Sequence, residues 1–184
     1  MHSSGSVDDL LRGAEEWVAQ RDLAAAADQY WAAYELAEIE ERNPLAVRAL
    51  ASHLQCLNQI GERAVAAERL QIGLAKVAQR RDRVGRARLL IEGAESALFH
   101  GDIERGWRML VEAAELWPSV NTSVWRVHLA LAECLAERGH WAQVGAILER
   151  VAPLPDDVAS VARLAGTKAL ACAFHGLLGE AAAL

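Results

Sequence analysis

Apolar side chains recur along this chain at helical spacing, and the whole pattern returns about every 40 residues. Small or large apolar residues stand five, nine and twelve positions after residues 21, 61, 101 and 139. A second, mostly apolar set stands eleven, seven and four positions before the same residues. Steps of three or four residues keep each set on one face of a helix. Each unit is therefore predicted to be a helix, a tight bend and a second helix.

Small and large side chains alternate within these sets, which predicts closely packed helix faces. The members after the bends are Ala26, Tyr30 and Ala33; Ala66, Leu70 and Gly73; Gly106, Leu110 and Ala113; and Val144, Leu148 and Val151. The members before the bends are Leu10, Ala14 and Trp17; Leu50, Leu54 and Leu57; Leu90, Ala94 and Ala97; and His128, Ala132 and Leu135. A small residue lets a neighbouring helix approach, and a large residue fills the remaining gap.

Five bends are expected, at residues 21, 61, 101, 139 and 176, with separations of 40, 40, 38 and 37 residues. Near-constant periods in this range are typical of stacked repeat proteins. Four of the five positions hold glycine, which adopts the left-handed backbone that ends many helices. We also predict that Asn43, followed by Pro44, and Asp102 cap the helices that follow them. No run alternates apolar and polar residues as a half-buried strand would.

The pattern resembles the tetratricopeptide repeat, whose helix–turn–helix unit carries the elements W-x2-L-G-x2-Y, A-x3-F and a later proline. The matching residues are Leu10-x2-Gly13-Ala14-x2-Trp17, His128-x2-Leu131-Ala132-x2-Leu135, Ala26-x3-Tyr30, Ala66-x3-Leu70, Gly106-x3-Leu110, Val144-x3-Leu148 and Pro118. The longer period is similar to that of the divergent repeats in large LuxR-type transcription regulators. The resemblance implies an all-α fold, a right-handed α-solenoid of antiparallel helix pairs with about 4.5 repeats. This repeat domain would span residues 7–184, and residues 1–6 would be a flexible terminus or an expression remnant.

Composition and charge narrow the class of protein. Hydrophobic residues make up 53% of the 184 residues and charged residues 24%, which is typical of a globular chain. The net charge of −6 disfavours nucleic acid or an acidic membrane as partner. The pattern contains no signal peptide and no apolar membrane span, so we expect a cytoplasmic protein. The last repeat is incomplete, which predicts either a piece of a longer protein or pairing with another copy through this end.

Two stretches contain residue types that occur in catalytic or metal-binding sites. His100, Gly101 and Asp102 stand together, but a bend between helices also accounts for them, because each residue type suits a helix end. His53 and Cys56 have a spacing suited to metal ligands, but a structural zinc site needs two more ligands nearby. Phosphate-binding and nucleophile-elbow motifs do not occur. The chain is therefore predicted to be no enzyme, with no cofactor and no metal site.

A column of polar residues recurs on the predicted first helices. Thirteen positions before the bends stand Arg48, Arg88, Arg126 and Arg163, and six positions before them stand Gln55, Glu95 and Glu133. These offsets share a helix face that lies roughly 140° from the apolar set. By the resemblance, this face lines a concave groove that binds a protein or peptide, which could be acidic because arginine suits carboxylates. Asn58 and Trp125 complete the predicted groove. The alternative is a ladder of ion pairs between neighbouring helices.

A run of arginines at positions 80–88 is a second basic feature. It could contact nucleic acid, but it also falls at a junction between repeats, where cations stabilise a helix C-terminus. The negative net charge favours the second interpretation. The function predicted from the sequence is a non-enzymatic interaction scaffold. The alternative is a regulatory or sensor segment of a larger signalling or transcription-regulatory protein.

Overall fold

The computed structural model describes residues 6–116, 129–130, 132–133, 135–136, 139–148 and 158–174, and these are helices joined by short turns. The helices are α1 (Val7–Ala19), α2 (Leu23–Ile39), α3 (Asn43–Ile60), α4 (Arg63–Gln79), α5 (Arg83–Phe99), α6 (Ile103–Leu116), α7 (Trp141–Leu148) and α8 (Val158–Phe174). The described residues between 129 and 136 are also helical. No strand occurs in this described part of the chain, and the predicted all-α class is confirmed.

The turns between helices share one backbone geometry. The predicted bend residues Arg21, Gly61, Gly101 and Gly139 all have positive φ, between 63° and 87°. The N–H that follows each of them bonds the carbonyl five residues back, as in Asp22 to Trp17 at 3.0 Å, which is the helix-ending Schellman arrangement. The fifth predicted bend, residue 176, lies outside the described residues.

The same turn also joins one predicted unit to the next. Glu41 and Arg81 each have φ of 56°, and Arg42 N–H bonds the Ala37 carbonyl at 2.8 Å. A left-handed residue therefore recurs about every 20 residues in the first part of the chain, at half the predicted period. Its sequence signal is hidden because these two positions hold residues other than glycine.

Side-chain caps begin several helices. Asp102 Oδ1 accepts the Arg105 N–H at 3.1 Å, which confirms the predicted cap. Ser6 caps α1 through a reciprocal pair of bonds with Asp9. The prediction for Asn43 is wrong: α3 begins at this residue, and its N-cap is Arg42, with no side-chain cap bond. The reason is the register of the turn, which places the N-cap directly after the left-handed residue.

The predicted apolar faces form the core. Every described member of the sets after the bends is buried, and so are the described members before the bends apart from two on α1. Leu10 is half-buried, and Trp17 remains 38% exposed, so its predicted burial is wrong. α1 packs mainly against α2, whereas α3 packs between α2 and α4, and this leaves the α1 face less covered.

The chain divides into two compact units, Met1–Gly93 and Ala94–Leu184. In the first unit, α2 packs between α1 and α3, and α4 packs on α3. The second unit contains a cluster of buried residues from α7, α8 and the helical segment before α7: Leu129, Ala132, Leu135, Val144, Leu148, Leu164 and Ala171. Among the described residues, no helix is both long and apolar enough to cross a membrane.

Candidate binding surface

The first helices of the first unit share a polar face, which we call the first-helix surface. It comprises Glu15 of α1, Arg48, Ser52 and Gln55 of α3, and Arg88 of α5. On α3, Arg48 is exposed and Gln55 half-buried, whereas the apolar set of the same helix is buried. On α3, Arg48 and the apolar set therefore differ in exposure as predicted.

An ion pair joins α1 and α3 on this surface. Arg48 Nη2 donates to Glu15 Oε1 at 2.6 Å, and the two side chains remain 48% and 54% exposed. An arginine–carboxylate pair between neighbouring first helices therefore occurs here, with the acidic partner one repeat earlier than the arginine. A solvent-exposed pair of this kind contributes only about 0–1 kcal/mol.

Arg48 is far from saturated by this contact. Its single hydrogen bond to a described residue is the one to Glu15, although a guanidinium carries five N–H donors. Arg80 provides the contrast, since its Nη1 and Nη2 donate to both oxygens of Glu38 at 2.7 and 2.6 Å. Arg48 therefore keeps N–H donors for a further acceptor, whereas the Arg80–Glu38 pair already uses both carboxylate oxygens in a structural contact.

Arg48 pairs with a residue 33 positions earlier. The same spacing from Arg88 leads to Gln55, which is not acidic. It donates instead through Nε2 to Glu92 Oε2 at 2.8 Å. Glu92 is only 2% exposed, so this amide helps to satisfy a buried carboxylate. An amide–carboxylate bond thus connects α3 with α5.

Tyr30 of α2 lies close to Glu15 and Arg48. Its side chain is 6% exposed. Burial raises the pKa of the Tyr30 hydroxyl, with smaller contributions from Cys56 and Glu15, while a hydrogen bond with Ser52 acts in the opposite direction. A buried, neutral hydroxyl therefore lies near the exposed ion pair.

The remaining predicted groove residues are only partly described. Asn58 on α3 and Glu95 on α5 are half-buried, Arg88 is exposed, and Glu133 is half-buried in the second unit. Each of these four residues has an interaction partner. Trp125 and Arg126 lie outside the described residues, and the same is true of the Arg163 side chain, although its backbone belongs to α8.

The second helices carry contacts that the sequence analysis missed. The Arg69 guanidinium carbon lies 3.8 Å from the Trp31 ring centroid, and Glu38 binds Arg80 and lies 3.7 Å from Lys76 Nζ. Both contacts connect α2 with α4. A search for complementary residues about one period apart would have found both of them.

The described candidates for catalytic or metal-binding residues occupy structural positions. Gly101 is left-handed, Asp102 caps α6, and the His100 ring contacts Phe99 with centroids 5.1 Å apart. Cys56 is buried, which raises the pKa of its thiol. Cys134 and the Cys172 side chain lie outside the described residues. Among the described side chains, no group of three or more histidine, cysteine, aspartate or glutamate residues could hold a metal ion.

A scan against protein-family models found no match, and a search of curated proteins found no significant match. Solved structures do match. The apo form of RapI aligns with a TM-score of 0.76 at 14% identity, over 96% of this chain and 51% of RapI. A Podospora anserina protein with nearly identical TPR-like repeats, described as a kinesin light chain, aligns with a TM-score of 0.70 at 15% identity, over 95% of this chain and 89% of that one.

MamA aligns with a TM-score of 0.58 at 17% identity, over 96% of this chain and 86% of its own. At these identities the likeness shows the fold alone. The fold is a helical repeat of the tetratricopeptide type, an α-solenoid, which confirms the predicted resemblance to the tetratricopeptide repeat. This chain spans about half the length of RapI.

Proposed function

We propose that this protein is a non-enzymatic scaffold that binds a protein or peptide segment along its first-helix surface. The observation that carries this proposal is the state of Arg48, an exposed arginine held by a single hydrogen bond. Its remaining donors suit a carboxylate, which arginine binds in a bidentate manner. The preferred partner is therefore an acidic segment.

Gln55 adds a second recognition element on the same face of α3. One of its amide hydrogens is bonded to Glu92, and its carbonyl oxygen and other N–H have no partner among the described residues. These two groups match the N–H and C=O of a peptide backbone. The repeat spacing also predicts Trp125, Arg126 and Arg163 as binding residues, and for these three the proposal rests on the sequence alone.

The test is a selection followed by a charge-matched comparison. Peptides are selected from a displayed random library on the wild-type protein, and their dissociation constants are measured for two double variants. Arg48→Ala with Arg88→Ala alters the first-helix surface. Arg63→Ala with Arg83→Ala removes the same number of positive charges from exposed positions elsewhere.

We expect selected peptides rich in aspartate or glutamate that lose at least about 10-fold in affinity with the first variant, since each tenfold is 1.4 kcal/mol. The second variant should bind within about twofold of wild type. Equal binding by all three proteins would exclude the first-helix surface as the peptide site.

The alternative role is a regulatory or sensor segment of a larger protein, as in LuxR-type regulators. The match to RapI favours it, because a similar helical arrangement there forms only about half of a longer chain. An effector domain in the same reading frame as these residues would support this role. A reading frame that encodes repeats alone would favour the scaffold role over the regulatory role.

A further inference from the structure

A buried histidine with an unsatisfied nitrogen lies where α2, α3 and α4 meet. His53 of α3 is 5% exposed. Its Nδ1 lies 2.8 Å from the Ala27 carbonyl oxygen of α2, and since a carbonyl only accepts, Nδ1 must carry the proton. Nε2 is then a bare acceptor, and no hydrogen-bond partner for it occurs among the described residues.

An aromatic contact and a cation lie beside this ring. The Trp31 ring centroid is 5.2 Å from that of His53 and 4.9 Å from that of Tyr34. Arg69 of α4 places its guanidinium 3.8 Å from the Trp31 centroid. The contact between Trp31 and Arg69 therefore spans from α2 to α4 next to the histidine.

A proton on Nε2 would disturb this arrangement in two ways. It creates a buried N–H donor without an acceptor, which is unfavourable. It also places a second cation beside the Trp31 ring that already holds Arg69. Arg69 is half-buried and lies on a flexible stem, so it is the cation that can move into water.

We propose that His53 is an acid-sensitive latch between successive repeats: its protonation releases Arg69 from Trp31 and so opens one of the two contacts that connect α2 with α4. The charged groups that face the imidazole are Arg69 from α4, which opposes protonation, and Asp28 from α2, which favours it. Tyr34 of α2 stays neutral, because burial raises the pKa of its hydroxyl to about 12. Burial of the imidazole, the largest influence, lowers the pKa of His53, so the latch opens below about pH 6.5.

The test follows Trp31 and His53 separately by NMR. The protein is labelled with 5-fluorotryptophan, and the Trp31 fluorine resonance is assigned by its loss in Trp31→Phe. The His53 Hε1 signal is assigned by its loss in His53→Gln. In the wild type, both signals should move with one common midpoint below about pH 6.5, and in His53→Gln the Trp31 resonance should no longer respond to pH.

A second variant keeps the histidine and removes the opposing cation. Arg69→Gln should raise the midpoint of the His53 titration, because the charge that disfavours protonation is gone. Arg63→Gln, at an exposed position on the same helix, should leave the midpoint unchanged. The latch is excluded by a Trp31 resonance that stays constant down to about pH 5, by an unaltered response in His53→Gln, or by an unmoved midpoint in Arg69→Gln.

Discussion

Replacing Gly73 with alanine should destabilise the first unit, although alanine is a better helix former than glycine. Gly73 lies on α4 where that helix faces Leu50 of α3 and Leu89 of α5. A methyl group on its Cα would collide with the Leu50 Cδ2 methyl and lie 3.0 Å from Leu89 Cδ1. Leu50 is 1% exposed and Leu89 fully buried, so neither side chain can escape into solvent.

The magnitude follows from two opposing terms. Overpacking of a core costs typically 1–3 kcal/mol, whereas alanine in place of glycine in a helix gains about 0.8–1 kcal/mol. For Gly73→Ala we therefore expect a net loss of about 1 kcal/mol in the free energy of unfolding. Gly73→Leu adds more volume at the same place, and its expected loss is about 3 kcal/mol.

The assay is urea unfolding followed by far-UV circular dichroism. Ala75→Gly is the control, because Ala75 is exposed on the same helix two residues away and reports the helix-propensity term alone, a loss of about 1 kcal/mol. If Gly73→Ala gains what Ala75→Gly loses, a methyl group fits at this crossing. The close approach of α4 to Leu50 would then be refuted.

Three further results are expected. Arg81→Gly should stabilise the protein by about 1 kcal/mol and Gly61→Ala should destabilise it by a similar amount, because the backbone at both positions is left-handed. Melting temperatures that change in the opposite directions would contradict the shared turn geometry. Glu38→Gln should cost about 1–2 kcal/mol, because a half-buried bidentate pair is lost; a loss no larger than that of an exposed pair would contradict its structural role. Burial raises the pKa of the Tyr30 hydroxyl, and it raises the pKa of the Tyr34 hydroxyl to about 12. The two neutral hydroxyls therefore contribute fully to the free energy of unfolding below about pH 10, and this contribution is lost as the pH rises toward 12. Ionisation of both hydroxyls at about pH 10 in the native state, measured by absorbance at about 295 nm, would contradict this expectation.

The bends and the apolar faces were predictable because both follow from local rules. A glycine at a helix end and small residues at helical spacing signal their structure in a single sequence, as at Gly61 and Gly101. The turns at Glu41 and Arg81 were not predictable in this way. Their left-handed backbone is imposed by the packing of the helices on either side, which overrides the ordinary preference of these residues.

On α3 the exposed position of Arg48 was predictable, but the partners of Arg48 and Gln55 were not. Arg48 pairs with Glu15, 33 residues earlier, and Gln55 pairs with Glu92, 37 residues later, although the bends are about 40 residues apart. Which side chains meet depends on the stagger of neighbouring helices and on side-chain direction. A repeat period alone contains neither quantity.

The ion-pair ladder and the peptide surface are compatible interpretations of the same residues. An ion pair stabilises the contact between two helices most when it is bidentate and partly buried from water, as between Arg80 and Glu38. The pair of Arg48 and Glu15 is singly bonded and half-exposed, so its separation costs only about 0–1 kcal/mol. An incoming carboxylate that forms two bonds to Arg48 would more than offset this loss. Glu15 then occupies Arg48 in the absence of a partner and is displaced at little cost, so Glu15→Gln should strengthen the binding of an acidic peptide that Arg48→Ala weakens.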